Sequence, residues 1–188
     1  PNKIFTAAAQ LISERFGFYH VGIFLVDRDR EYAILQAANS AGGQKMLARR
    51  HRLMLGTGVV GFAGQTGKPR IALDVGADAV FFNNPDLPDT RSEIALPMIA
   101  GDQTIGVLDV QSTIAGAFTE EDYRALGTLA NQLAIAIDNA RLLTEARAST
   151  VQVQEVFNNF IRTEWSRTAK KTEQAGLRYN AGRIELLE

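Results

Sequence analysis

The sequence predicts an α+β fold in which antiparallel strand pairs are preceded by one helix and followed by a much longer one. Two pairs of short apolar segments, each joined by a polar turn, predict two β-hairpins. Apolar residues at three- and four-residue spacing near both ends of the chain predict the helices. The chain has 188 residues, 46% of them apolar, which fits one domain of ordinary size with a further segment, or two small domains.

The first helix and the first hairpin come from clear periodic patterns. Apolar residues between Asn2 and Phe16 fall on one helical stripe, and Gly17 ends it. The apolar run 19–26 and the segment 31–38 are then predicted as paired strands around a polar turn. The basic residues at 49–52 that follow are interpreted as a solvated turn, because no aromatic residues are interleaved with them.

The middle of the chain predicts a short helix, a loop and the second hairpin. Thr57 is expected to cap a helix that ends at Gly67. Residues 76–90 are predicted to form a loop, and 92–99 with 104–111 the hairpin. Pro97 lies within the first of these strands and cannot donate a backbone hydrogen bond, so we expect an edge strand or a bulge there.

A long helix is predicted to begin at Thr119, with Asp122 completing the capping pattern, and to continue to about Thr168. About fifty residues would span roughly 75 Å, so the outer part needs a partner helix, most simply a second copy in a parallel dimer. The predicted dimer seam consists of Leu126, Leu129, Leu133, Ala136, Ala140 and Leu143. The last residues, 177–188, predict two further strands around a turn.

A literal G-x-G-x-x-G motif at Gly56, Gly58 and Gly61 raises the alternative of a dinucleotide site. The helix it opens is short and an antiparallel hairpin follows, whereas a dinucleotide fold needs parallel strand-helix units. The favoured interpretation is a glycine-rich helix packed closely against the sheet.

Composition excludes several classes of function. The chain has no cysteine, so it offers no disulfide, thiolate metal ligand or cysteine nucleophile. Its net charge of −1 is evenly spread, and it has no long apolar run, so neither nucleic-acid binding nor a membrane span is expected. His20, His51 and the acidic residues at 74–93 lack metal-ligand spacing, and no metal site is predicted.

The order of elements and three stretches of sequence resemble the GAF domains of bacterial signalling proteins. GVLDVQS at 106–112 and the stretch AFTEEDYRALGTLANQLAIAIDNARL at 117–142 carry the resemblance most specifically, with support from 56–69 and 92–98. It covers residues 1–145. It implies an antiparallel sheet with the terminal helices on one face and a ligand pocket on the other.

By this resemblance the pocket residues would be Phe81, Phe82, Arg91, Ser92 and Glu93, with Leu108 on the sheet floor. Family members of this fold that reduce free methionine sulfoxide use cysteine, which this chain lacks, although Asp109 stands where they carry an acid. The resemblance leaves the ligand and any cofactor unknown.

The resulting interpretation is a non-catalytic regulatory module of a cytoplasmic signalling protein, such as a sensor histidine kinase of a two-component system. We expect a sensory domain at 1–145, a coiled-coil linker at 146–175 and the start of a next module at 176–188. Ligand contacts would be relayed along the long helix of a homodimer to an output domain in the same chain. The alternatives are a purely structural dimerisation module and, less favoured, an enzyme of this fold.

Overall fold

The computed structural model describes residues 2–76, 84–174, 176–180 and 183–187 and divides into two compact units, Pro1–Ala140 and Arg141–Glu188. The helices are α1 (Asn2–Phe16), α2 (Ala41–Ala48), α3 (Gly58–Thr66) and α4 (Glu120–Gln174). The strands are β1 (His20–Val26), β2 (Tyr32–Ala38), β3 (Arg52–Met54), β4 (Arg70–Ala72), β5 (Ser92–Ala100), β6 (Gln103–Ser112), β7 (Gly176–Asn180) and β8 (Arg183–Leu187).

The first unit is built on a six-stranded antiparallel sheet with the order β3-β2-β1-β6-β5-β4. Both predicted hairpins are confirmed, as β1 with β2 and β5 with β6. Pairing of β1 with β6 joins the two hairpins at the centre of the sheet. The α+β fold class and its antiparallel sheet are therefore as the sequence predicts.

Pro97 lies where the sheet can accept a residue without a backbone N–H. Strand β4 pairs only with Glu93, Ile94 and Ala95 and ends before Pro97, which pairs with Val107 of β6 on its other side. The register of this pair then shifts between Met98 and Ile99. The predicted edge or bulge is confirmed in this form, because the neighbouring strand is too short to reach the proline.

The two faces of the sheet carry two different cores. Helices α1 and α4 cover one face, where Phe5, Ile12 and Leu126 pack against strand residues such as Leu108. Helices α2 and α3 cover the other, with Met46, Val59 and Val60 buried against Phe24, Ala95 and Val107. Because strand side chains alternate between faces, neighbours such as Val107 and Leu108 belong to different cores.

Helix α2 is not predicted from the sequence, which shows a Gly-Gly pair and scattered basic residues there. Ser40 begins it, and its hydroxyl oxygen accepts a hydrogen bond from the Gly43 N–H at 3.0 Å. A Cβ at Gly42 would overlap the carbonyl oxygen of Asp86. Close packing therefore requires these glycines, although they weaken the helical pattern in the sequence. Tertiary contacts stabilise the helix, which is why the sequence does not predict it.

The two predicted N-caps differ in the structure. At α4 the Thr119 hydroxyl accepts from the Asp122 N–H at 3.1 Å, and the Asp122 carboxylate accepts from the Thr119 N–H at 3.0 Å, which is a complete capping box. Thr57 occupies the N-cap position of α3, but its side chain makes no capping bond. Gly67 ends α3 in the left-handed conformation, as predicted, with φ of 65°.

The second unit contains the outer part of α4 and the pair β7 and β8. These two strands are antiparallel, which confirms the hairpin predicted for the last residues. Helix α4 ends at Gln174, beyond the predicted limit near Thr168. Among the helices in the described part of the chain, none has the length and apolar character needed to cross a membrane.

Candidate functional site

A cavity of about 260 Å³ lies on the α2 and α3 side of the sheet. Apolar side chains form much of its wall, namely those of Phe24, Met46, Val59, Val60 and Leu87. The polar lining comes from His51, Arg52, Thr57, Asn84, Glu93, Asp109 and Gln111. A mostly apolar cavity with a few placed polar groups is the usual form of a small-molecule site.

Three of the polar lining residues come from the paired strands β5 and β6. Glu93 pairs directly with Gln111, and Asp109 lies two residues earlier on the same face of β6. The Gln111 side chain donates to Asp109 Oδ2 at 2.7 Å and accepts from the Thr90 hydroxyl at 2.6 Å. Glu93 also hydrogen bonds to Asp109 through its side chain. The result is a connected, buried polar network with two carboxyl groups.

Burial dominates the electrostatics of Asp109. The residue is 1% exposed, and loss of hydration raises the pKa of its carboxyl group to about 7, with hydrogen bonds from Gln111 and Glu93 acting in the opposite direction. A hydrogen bond between the Glu93 and Asp109 carboxyl groups requires a proton on one of them. The pair therefore holds a proton that a cationic group could replace.

His20 lies behind this pair and is fully buried. Its Nε2 is 3.9 Å from Asp109 Oδ2, and its Nδ1 is 2.7 Å from the Ser40 hydroxyl oxygen. Burial lowers the pKa of His20 to about 4, so the ring is neutral near pH 7. The described residues contain no group of three or more His, Cys, Asp or Glu side chains that could hold a metal ion.

Two basic side chains and the N-terminus of helix α3 also line the cavity. His51, Arg52 and Thr57 all contribute to its lining. The Arg52 guanidinium stacks on the Tyr32 ring at 4.1 Å from its centroid, and burial lowers the pKa of His51. The cavity lining thus combines a buried pair of carboxyl groups with an arginine, a histidine and a helix N-terminus.

The structure describes four of the pocket residues expected from the sequence and places them in four different surroundings. Glu93 lines the cavity. Arg91 is exposed and lies 3.7 Å from Asp74, while the buried Ser92 donates to the Ile114 carbonyl at 2.7 Å. Leu108 is buried on the opposite face, in the core with α1 and α4. Phe81 and Phe82 lie outside the described residues.

The residues expected to form a dimer seam on α4 are also divided. Leu126 is fully buried in the core of the first unit, and Leu129 and Leu133 pack partly against the same core. Ala136 is exposed and Ala140 is half-buried. Leu143, in the second unit, is 59% exposed. The first three therefore contribute to the fold of the chain itself.

Sequence reasoning did not assign Asp109 and Gln111 to the pocket. The signal that would have found them is the strict alternation of β6. If Glu93 faces a pocket, its strand partner Gln111 must share that face, and so must Asp109 two residues away, whereas Leu108 cannot. A carboxyl group in the middle of an otherwise apolar strand is a second signal.

The glycine motif has the packing role that the sequence favours. A Cβ at Gly61 would overlap the carbonyl oxygen of Met54, so the glycine lets α3 approach the β3 segment closely. Helix α3 has only nine residues and lies over an antiparallel sheet. Neither feature matches a dinucleotide-binding unit.

Comparison with known proteins places these features in a family. Residues 1–138 match the GAF domain family. The free methionine-R-sulfoxide reductase of Escherichia coli (strain K12) is 50% identical over 44 residues, which are 23% of this chain and 27% of that protein. GAF domain-containing protein A of Dictyostelium discoideum is 35% identical over 115 residues, or 61% of this chain and 67% of that protein.

A solved structure has a similar fold. The free methionine-R-sulfoxide reductase of Neisseria meningitidis, determined in complex with its substrate, superimposes with a TM-score of 0.65 and 28% identity, over 75% of this chain and 80% of that one. The match to the E. coli enzyme spans only about a quarter of its length. Because the family match extends over most of the chain, this protein belongs to the GAF domain family.

Proposed function

We propose that this chain is a non-catalytic, ligand-binding regulatory domain whose pocket takes a small molecule with a protonated amine. The observation that carries the proposal is the buried pair Glu93 and Asp109 in the cavity floor. Two carboxyl groups in a site shielded from water favour a cation that can donate several hydrogen bonds. An ammonium group meets both requirements, and it would displace the proton that the pair otherwise shares.

The size and character of the cavity support a ligand as small as an amino acid. A volume of about 260 Å³ accommodates only a small molecule. The apolar wall around Met46 and Val59 can cover an aliphatic chain, while Arg52 and the N-terminus of α3 lie where a carboxylate would be favoured. Free methionine R-sulfoxide, named in the relatives from E. coli and N. meningitidis, is one molecule of this class.

The absence of cysteine favours binding over sulfoxide reduction. The reductases that this sequence resembles use a thiol, and the chain contains none. Glu93 and Asp109 can exchange a proton but cannot supply electrons to a sulfoxide. The proposed domain therefore recognises its ligand and passes on its presence to an output domain, such as a histidine kinase.

A reductase assay separates the two functions. The purified chain is incubated with free L-methionine R-sulfoxide and dithiothreitol, and the methionine formed is measured against buffer and against the E. coli enzyme. We expect no methionine above the buffer control, because the chain has no cysteine thiol to attack the sulfoxide, and the buffer control accounts for any reduction by dithiothreitol alone. Enzyme-dependent formation of methionine would contradict the non-catalytic assignment.

Self-association through the outer part of α4 is a second proposed function. An exposed groove there is lined by Ser149, Gln152, Val153, Val156, Phe157 and Phe160. The four apolar residues follow the i, i+3, i+4, i+7 spacing of a helix that packs on another helix. Each is between 57% and 66% exposed.

A second copy of the chain is the occupant that we propose for this groove. Residues 141–164 contain three arginines and three glutamates, so two copies of the segment carry no net charge and do not repel each other. A regular apolar stripe is complementary to itself, since each side chain can enter the space between side chains of the other helix. Dimerisation would give a ligand-dependent change in one domain a route to a shared helical output.

A further inference from the structure

We propose that His20 is a positioning residue that couples the state of the Asp109 carboxyl group to the N-terminus of helix α2. The juxtaposition that carries this proposal is a row of three groups, the buried Asp109 and His20 and the half-buried Ser40, which joins the pocket floor to the cap of a helix that forms the pocket wall. It adds a conformational output to the ligand site proposed above and rests on its own contacts.

Helix α2 forms part of the pocket and is held at both ends. Its residue Met46 lines the cavity and its sulfur accepts a hydrogen bond from the Asn84 amide at 2.8 Å. At its C-terminal end, Arg49 forms an ion pair with Asp86 at 2.5 Å. At its N-terminal end, the Ser40 hydroxyl caps the Gly43 N–H. A change at either end therefore acts on the pocket wall.

The Ser40 hydroxyl group links the cap to the histidine. Its oxygen accepts from Gly43, so its own proton is free to be donated to His20 Nδ1, 2.7 Å away. With Nδ1 as an acceptor, the neutral ring carries its proton on Nε2, which faces Asp109 Oδ2 at 3.9 Å. An ionised Asp109 favours this tautomer, because a carboxylate attracts the N–H dipole.

Neutralising Asp109 removes the preference. The ring can then carry its proton on Nδ1 and donate to Ser40, which changes the hydroxyl from donor to acceptor on that side. A hydroxyl that donates one hydrogen bond accepts another more strongly. The hydrogen bond from the Gly43 N–H to Ser40 is therefore stronger when His20 carries its proton on Nε2 than when it carries it on Nδ1. The charge of Asp109 thus biases the strength of the α2 cap.

Tight packing makes the His20 ring a rigid link. The ring is fully buried between two glycines, Gly22 on its own strand and Gly43 on α2. A Cβ at Gly22 would lie 3.1 Å from His20 Nε2, and one at Gly43 would lie 2.9 Å from Cε1. Because there is no room between the ring and the helix, a reorientation of the ring must displace the first turn of α2.

A ligand-free double-mutant experiment tests the coupling on the full chain. Hydrogen exchange of the Gly43 and Gln44 amides is measured at pH 8 in the wild type, Asp109→Asn, His20→Phe and the double variant. We expect Asp109→Asn to accelerate exchange about fivefold when His20 is present and by less than about twofold in the His20→Phe background. The amide of Gly67, which caps α3, serves as the control for general destabilisation.

Equal acceleration in the two backgrounds, or none in either, would overturn the proposal. If His20→Phe does not fold, Ser40→Ala takes its place, since removing the hydroxyl must also abolish the effect of Asp109→Asn on Gln44.

A spectroscopic readout is independent of stability. The ¹⁵N resonances of His20 should show the Nε2–H tautomer in the wild type and a shift towards Nδ1–H in Asp109→Asn, and unchanged resonances would count against the coupling. Because no ligand is used, a negative result would refute the coupling without bearing on the amine site. A failure of the amine-binding test would likewise leave the coupling untouched.

Discussion

Two buried carboxyl groups that share a proton define the chemistry of the pocket. Asp109 and Glu93 lie on neighbouring strands and are 1% and 5% exposed. Burial in such a site penalises the charged form, which is why the pKa of Asp109 is raised to about 7. The proton held near pH 7 is released when a cation binds. Affinity for an amine should therefore increase as the pH rises through this value.

The neighbouring His20 has the opposite response to pH. Burial lowers its pKa from 6.5 to about 4, whereas the pKa of Asp109 is raised from 3.8. For Asp109, stability is lost as the pH rises from about 4 to 7, because the folded state must then release a proton that the unfolded chain has already lost. For His20, stability is gained from about pH 4 to 6.5, because only the unfolded chain binds the proton there.

Substituting Asp109 or His20 should leave the pH dependence of the free energy of unfolding that the other residue causes. In Asp109→Asn only the His20 effect remains, so the free energy of unfolding should rise as the pH goes from 4 to 6.5. In His20→Gln only the Asp109 effect remains, so the free energy of unfolding should fall over the same range. Each change is at most about 1.4 kcal/mol per pH unit. Urea denaturation across this range measures the slopes. The same slope in all three proteins would show that neither pKa is shifted as described.

At these positions the sequence predicts only part of the site. Glu93 is found through the family resemblance, but Leu108 is expected on the pocket floor although the floor is formed by Asp109. The expected residue and the observed one are neighbours in β6, and neighbouring side chains in a strand point to opposite faces of the sheet. Which face holds the pocket depends on the helices that cover each side, and a single strand pattern does not contain that information.

Among the elements, helix α2 depends most on tertiary packing. It has eight residues, and its first turn contains Gly42 and Gly43, which favour other conformations in isolation. Both glycines are needed because neighbouring atoms occupy the space of a Cβ. The helix is thus stable only in contact with β2, β1 and the loop before β5, which explains why no local pattern predicts it.

Alanine substitution at two helical glycines should have opposite effects. Gly42→Ala should lower the free energy of unfolding by about 1–3 kcal/mol, because its methyl group would overlap the Asp86 carbonyl. Gly127→Ala is the matched control, since no atom lies within 4 Å of its Cβ position in α4. It should raise stability by roughly 0.5–1 kcal/mol. Urea denaturation provides both values, and a Gly42→Ala variant as stable as the wild type would refute the packing described.

Elements with strong local signals are predicted well. The helix at Asn2–Phe16, both hairpins and the capping box at Thr119 carry periodic or capping patterns that need no tertiary information. The strands β3 and β4 have three residues each and show no such pattern. Their place at the two edges of the sheet depends on pairing with β2 and β5.

At the scale of the whole molecule, the chain combines a packed domain with a second unit whose helix exposes apolar side chains. The apolar positions of α4 change role along its length. Leu126 completes the core of the first unit, whereas Phe157 and Phe160 are exposed in the second. A heptad pattern in the sequence does not separate these roles, because both a domain core and a partner helix select the same residue types.

Charge at the exposed groove should control self-association. Phe160→Glu places a carboxylate within the proposed helix interface and should convert a dimer into a monomer at micromolar concentration. Val151→Glu is the control, because Val151 is 59% exposed and lies on the other side of the helix from the groove. Sedimentation equilibrium of the wild type and both variants gives the masses. A wild-type monomer, or a Phe160→Glu dimer, would exclude the groove as the interface.

Recognition of a protonated amine by the Glu93 and Asp109 pair is the central claim, and a thermal-shift comparison tests it most directly. The wild type, Glu93→Gln and Asp109→Asn are each heated at pH 8 with the free amino acids, with free L-methionine R-sulfoxide and with the N-acetyl derivative of each compound. At least one free amine should raise the Tm of the wild type, while its N-acetyl derivative and both variants should give no increase, because acetylation removes the positive charge. No stabilisation of the wild type by any free amine, or equal stabilisation of the two variants, would contradict it.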